Sequence, residues 1–91
     1  MLLPEALNET QLITLRDVLR TAGLKERQIE DIQLLLRFKP HRVQLAFYYT
    51  TIGLSQRETS AILGCAQSTV WHSVNVGCCD IRNYLAIDKC R

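Results

Sequence analysis

Glycine and proline are scarce in this chain, four and two among 91 residues. Their positions read as breaks between periodic segments, which favours an all-helical domain. No strand-type alternation of apolar and polar residues occurs anywhere. No apolar run approaches the roughly 18 residues of a membrane span, so no membrane partner is expected. The start, "MLLPEALNET", has a short apolar part and no basic segment before it, which makes a poor signal peptide and points to the cytoplasm. The cysteines Cys65, Cys78, Cys79 and Cys90 form no CxxC pair, which argues against a disulfide framework. A metal site built from them and His72 is also disfavoured: neighbours on a helix, such as Cys78 and Cys79, point about 100° apart. Free, mostly half-buried thiols are expected, with no metal and no cofactor. There is no Ser-His-Asp or paired-carboxylate constellation and no GxxxxGK[ST] phosphate loop. No enzymatic activity and no small-molecule substrate are therefore expected.

What is present is a globular composition. Apolar residues make up 47% of the chain, enough for a core and too many for a disordered segment. The length suits one small domain over residues 1–91. Net charge is only +2, but its distribution is uneven. Up to Leu36 the acids Glu5, Glu9, Asp17, Glu26, Glu30 and Asp31 outnumber the bases Arg16, Arg20, Lys25 and Arg27. From there on, Arg37, Lys39, Arg42, Arg57, Arg82, Lys89 and Arg91 outnumber Glu58, Asp80 and Asp88. The second part carries the positive field that a nucleic-acid surface needs.

Periodicity places about five helices. Asn8 or Thr10 can cap the first, whose stripe is Leu12, Leu15, Val18, Leu19 and Ala22, with Gly23 as its stop. The second buries Ile29, Ile32, Leu35 and Leu36, and Pro40 breaks it. These two helices, residues 1–36, pack on or extend the core. A third helix with Pro40 near its first turn is apolar nearly all round. Its faces are Val43, Ala46, Phe47 and Thr50, widened by Leu45, Tyr48, Tyr49 and Ile52, so it is expected at the centre. Ser55 with Glu58 three residues on is a capping box that opens the next helix, about 55–63. That helix has Thr59, Ile62 and Leu63 inward. A last helix, about 67–85, turns Val70, Val74, Cys78, Ile81 and Leu85 inward.

The last two helices meet the demands of a helix-turn-helix. Ser60 is small where the helices cross, Gly64 tolerates the positive φ of the turn, and Cys65 is a small apolar plug. Thr59, Leu63 and Val70 supply the inner faces. Gln67, Ser68 and Thr69 are then left outward, with Trp71, His72 and Ser73 beyond them. Gln can bond adenine N6 and N7, Ser and Thr can bond bases or phosphates, and a Thr methyl can touch a thymine methyl. Arg57 can bind the DNA backbone or reach a base edge. Arg37, Lys39, His41 and Arg42 form the one basic cluster without an intervening acid, suited to phosphate or a minor groove. Two readings stand for His72: a phosphate or base contact, or a bond to a carbonyl at the helix crossing. Trp71 either faces DNA or packs on the domain edge. Arg82, Lys89 and Arg91 read as solvated helix ends.

The stretch "HRVQLAFYYTTIGLSQRETSAILG" followed by "STVWHSV" resembles the C-terminal DNA-binding domain of the bacterial replication initiator DnaA, of the Trp-repressor-like superfamily. Gly53, Leu54, Ser55, Glu58, Gly64, Ser68, Thr69, Val70 and His72 carry the likeness, and "IRNYLAIDKCR" resembles the closing helix of stand-alone domains of that type. The likeness covers residues of about 37–91 and leaves the first 36 unmatched. It implies sequence-specific binding of double-stranded DNA in transcription or replication control, with the second motif helix in the major groove. Ser68 and Thr69 would make base and thymine-methyl contacts, Gln56 and Arg57 would approach the groove, and Arg37, Lys39 and Arg42 would stand for a basic loop entering the minor groove. Where the family has Arg-Asp-His, this chain has Cys65, Ala66 and Gln67, so its usual reading set has no counterpart. A chain of 91 residues without a phosphate loop has no room for the initiator's ATPase module. The alternative is a helical protein-interaction adaptor, anti-initiator or sigma-region-4-like, since region 4 shares the "LSQRE", "ILG", "STV" logic and lies beside RNA polymerase. A dimer is common for this class, while the initiator-type domain works as a monomer unit; both remain open.

Overall fold

The computed structural model describes residues 6–89; Glu5, Cys90 and Arg91 lie outside the described residues. Of the two candidate caps for the first helix, Asn8 is the one used. Its side-chain oxygen accepts from the Gln11 N–H at 2.8 Å, and the Gln11 side chain accepts from the Asn8 N–H at 3.0 Å. This reciprocal box opens α1, Glu9–Thr21. The chain passes through Gly23 at φ 99° into α2, Glu26–Arg37. Pro40 is the N-cap of the next helix rather than part of its first turn, and α3 runs His41–Thr51. Ser55 and Glu58 form the expected box at α4, Gln56–Leu63, with both bonds at 3.1 Å. The last helix, α5, runs Gln67–Lys89, one turn beyond the expected end. The described residues are therefore all-α, with five helices and no strand.

The centre belongs to α3, which touches each of the other four helices. Val43, Ala46, Phe47 and Tyr48 are buried on it. Thr50, expected inward, is exposed, while Gln44 is inward at 2% exposure. A buried amide is tolerable only when bonded. The Gln44 oxygen accepts from the Ala6 N–H at 3.2 Å, and its nitrogen donates to the Lys39 carbonyl at 3.0 Å. Gln44 thus ties the chain before α1 and the chain before α3 to the central helix.

The first two helices share the core of the others. Leu15, Leu19, Ile29, Ile32 and Leu36 cluster with Phe47, Tyr48 and Ile81. Polar contacts join α2 to the end of α5. The Tyr84 hydroxyl donates to Asp31 at 2.5 Å, and Gln28 donates to Asp88 at 2.9 Å. The Asp88 side chain, 5% exposed, lies 3.0 Å from the Arg27 guanidinium. The Asp31 bond holds the Tyr84 phenol above its ordinary range, since ionising the phenol would remove the donor.

The inward stripe of α5 differs from the expected one. Val70, Ser73, Gly77 and Ile81 are buried, while Val74, Cys78 and Leu85 are half-buried on its shoulder. The reason is the closeness of α3. A Cβ placed on Gly77 would sit 3.2 Å from Val43 Cγ1 and 3.9 Å from the Phe47 Cβ. Only small residues fit along this seam, so Ser73 and Gly77 replace the larger side chains that periodicity favours. Gly77 also departs from the expectation that glycines fall between helices. On α4, Ile62 is 54% exposed rather than inward, because Thr59 and Leu63 already fill the narrow contact of so short a helix.

The seam generates a prediction. Gly77→Leu forces side-chain volume against Val43 and Phe47 and is expected to lower stability by about 1–3 kcal/mol, the usual range for overpacking. Gly77→Ala crowds Val43 but gains about 1 kcal/mol of helix propensity, so it is expected to stay within about 1 kcal/mol of wild type. Urea unfolding of the two variants checks both.

Candidate nucleic-acid interface

α4 and α5 are joined by the residues 64–66. Gly64 takes the left-handed conformation at φ 68° that the turn requires. The Ser60 carbonyl accepts from the N–H groups of Gly64 at 2.9 Å and Cys65 at 3.2 Å, closing α4. Beneath the turn, Thr59 and Val70 are both fully buried, at 0% exposure. Thr59 was the weakest of the expected inner positions and is the deepest residue of α4. Its hydroxyl has no hydrogen-bond partner, so its methyl is the part that packs. Ser60 is half-buried and bonds the Arg57 carbonyl at 2.8 Å. Cys65 is half-buried in the turn.

The amino end of α5 has no capping side chain. Ala66 precedes it, and its carbonyl accepts from Thr69 and Val70 at 3.1 and 3.2 Å. A methyl group offers no acceptor to the first N–H groups, so they and the positive end of the helix dipole are left for an outside partner. With Val70, Ser73 and Gly77 turned inward, the 100° step of the helix puts Ser68, His72, Asn75 and Cys79 on the opposite side. Gln67 and Trp71 lie on one shoulder and Thr69 on the other. Gln67, Ser68, Trp71 and His72 are exposed and Thr69 is half-buried. The first two turns of α5 therefore bring Gln67, Ser68, Thr69 and His72 together. His72 makes no bond to a carbonyl among the described residues. Gln56 and Arg57 are exposed in the first turn of α4.

The basic cluster before α3 is arranged differently. Lys39 forms an ion pair with Asp80 of α5, so a cluster free of acids in sequence meets one in space. Arg37 is half-buried beside a shallow depression lined by Glu30, Asp31, Gln33 and Leu34. Arg42 is exposed at the start of α3. Asp80 lies thirteen residues along α5 from Gln67, about 20 Å at the helical rise. The candidate residues thus form two patches, one on the α4–α5 motif and one around Lys39 and Arg42.

One residue on this side of α5, the half-buried Asn75, is absent from the expected set. Asn75 continues the line of Ser68 and His72 by one turn, a signal its spacing carried. Its amide donates to the Trp71 carbonyl at 2.7 Å. Trp71 is 57% exposed and lies outside the core cluster. Of the thiols, Cys78 is half-buried and Cys79 exposed; burial pushes the Cys78 thiol up. Among the described residues no three His, Cys, Asp or Glu side chains gather to hold a metal ion, and no helix is long and apolar enough to cross a membrane. Compared with known protein families, curated proteins and solved structures, the chain matches none of them.

The capping box sets how firmly α4 is held. The Ser55 backbone N–H, then its hydroxyl, hold the Glu58 carboxyl below the usual carboxylate range. A depressed carboxyl stabilises the fold above its unfolded pKa, and the effect fades as pH falls through the folded value. Urea unfolding from neutral into acid pH is expected to show the wild-type advantage over Glu58→Gln shrinking with acidity. Ser55→Ala is expected to cost about 1 kcal/mol at neutral pH, the usual loss for a removed N-cap.

Proposed function

We propose that the protein binds double-stranded DNA sequence-specifically, placing the first two turns of α5 in the major groove, in transcription or replication control and in the manner of the DnaA C-terminal domain it resembles. The observation that carries this reading is the exposed, uncapped amino end of α5 with Gln67, Ser68, Thr69 and His72 around it. Each has a use there. The Gln67 amide matches adenine N6 and N7, the Ser68 and Thr69 hydroxyls bond bases or phosphate, and His72 reaches a phosphate or a base edge. The free N–H groups suit a phosphate oxygen. Arg57 and Gln56 stand on α4, the helix that crosses the backbone in such motifs. Lys39 pairs with Asp80, which lies about 20 Å along α5 from Gln67, comparable with the half-turn of about 17 Å between neighbouring grooves, and Arg42 is exposed at the start of α3. Arg37 closes α2, two residues before Lys39. Thr69, half-buried, presents its side chain at the edge of the face.

A second reading rests on one observation. Leu34 and Phe38, one turn apart on and just after α2, are 47% and 53% exposed. They favour a protein partner on that side, as in an adaptor of the anti-initiator or sigma-region-4 kind. A mobility shift with random duplex separates the two: retardation at low salt that is lost at moderate salt fits DNA binding, and no retardation at low salt fits the adaptor.

Selection of bound duplexes from a random pool supplies the site for the decisive test. Gln67→Ala and Arg57→Ala are then expected to weaken binding, Gln67→Ala by about 1–3 kcal/mol and only for duplexes with the selected base at one position. Unchanged binding by both variants to every duplex would sink the proposal. Asp80→Asn releases Lys39 and is expected to tighten binding at low salt and to steepen the slope of log K against log salt by about one. Filter binding over a salt series reads both quantities.

A further inference from the structure

Trp71 is the chain's single tryptophan, and it stands outside the core. It belongs neither to the buried cluster nor to the half-buried apolar side chains packed against it. Its indole makes no hydrogen bond or ring contact among the described residues. A side chain of this size is normally well buried, and its N–H normally finds a partner. Here the residue is 57% exposed on the second turn of α5, one turn after Gln67. Its helical neighbours Gln67, Ser68 and Asn75 are polar, and Val74 on the inward flank is half-buried. The Asn75 amide folds back onto the Trp71 carbonyl, which leaves the indole as the bulkiest group projecting from this end of the helix.

We propose that Trp71 determines specificity by packing its ring on the C5-methyl of a thymine. The inference rests on the reading of α5 as the helix that enters the major groove. In that groove the thymine methyl is the apolar group that base edges present, and an unpartnered indole has apolar surface to match it. Gln67 and Trp71 are four residues apart, about 6 Å along the helix, against about 3.4 Å between successive bases of a strand. The thymine therefore lies within about two base pairs of the base that Gln67 reads. The motif then demands A·T pairs at neighbouring positions, one for the amide and one for the ring.

Deoxyuridine tests this, because it keeps the hydrogen-bonding edge of thymine and lacks only the methyl. Each thymine of the selected duplex is replaced singly, and binding is measured for wild type, Trp71→Ala, Trp71→Leu and Gln67→Ala. Removal of one particular methyl is expected to weaken wild-type binding about fourfold, the worth of one buried methyl-sized group. The same replacement is expected to leave Trp71→Ala unaffected and to weaken Trp71→Leu and Gln67→Ala as it does wild type. Trp71 fluorescence is expected to change on binding the thymine duplex and to change less with the deoxyuridine duplex. Since the ring lies outside the core, circular dichroism of Trp71→Ala is expected to match wild type. The proposal is overturned if wild type prefers the selected duplex yet no deoxyuridine effect disappears in Trp71→Ala. If wild type prefers no duplex over random sequence, the groove reading and this proposal fall together.

Discussion

The seam between α3 and α5 is the constraint on which the rest of the structure depends. Val43 approaches Gly77 so closely that even a single added carbon would crowd it, and Phe47 lies at contact distance beside it. That closeness fixes which side of α5 faces inward, and Ser73 and Val70 follow the same line toward the amino end. The outward side is determined by subtraction. Ser68, His72 and Asn75 face solvent because the seam, and the fully buried Val70 at the turn, leave them no other direction. α4 is held by its Ser55–Glu58 box and the left-handed Gly64, and it sits against α3 and α5 alone. The candidate reading surface is thus a by-product of close helix packing some residues away.

Charge is organised less simply than it is along the sequence. Two bases of the first half are engaged within the fold: Arg20 pairs with Asp17 and Glu26, and Arg27 with Asp88. Exposed pairs such as those of Arg20 contribute little stability, and their effect is to quieten the field of α1 and α2. In the second half, Lys39 is held by Asp80, while Arg42 and Arg57 are exposed. A polyanion that reaches Lys39 meets a basic group already engaged. Binding under the proposed reading therefore includes an exchange of partners at Lys39.

Most of the fold was legible because it rests on local rules. Asn8, Ser55, Gly64 and Pro40 mark helix ends by their own chemistry, and the stripes of α1 and α2 show in their periodicity. The inward stripe of α5 was less legible. Its position depends on how near α3 comes, which is a tertiary fact, and that nearness favours Ser73 and Gly77 over larger neighbours. Gln44 was invisible for a similar reason: its burial is stabilised by the Ala6 N–H and the Lys39 carbonyl, which sequence does not place. The grouping of Gln67, Ser68, Thr69 and His72 was legible from the turn and the helical step. The Lys39–Asp80 pair was not, since its partners are 41 positions apart. Trp71 was ambiguous because a large aromatic ring is consistent with either packing or recognition until its exposure is known.

The central claim is that the outward end of α5 meets DNA, and amide chemical-shift mapping tests it most directly. Titration of nitrogen-15-labelled protein with a selected duplex is predicted to perturb Arg57, Gln67, Ser68, Thr69 and His72 most, with a weaker set at Lys39 and Arg42, and to leave Leu34 and the exposed side of α2 unmoved. Perturbations centred on Leu34 and Phe38, or none at duplex concentrations that saturate binding of unrelated helix-turn-helix domains, would contradict it.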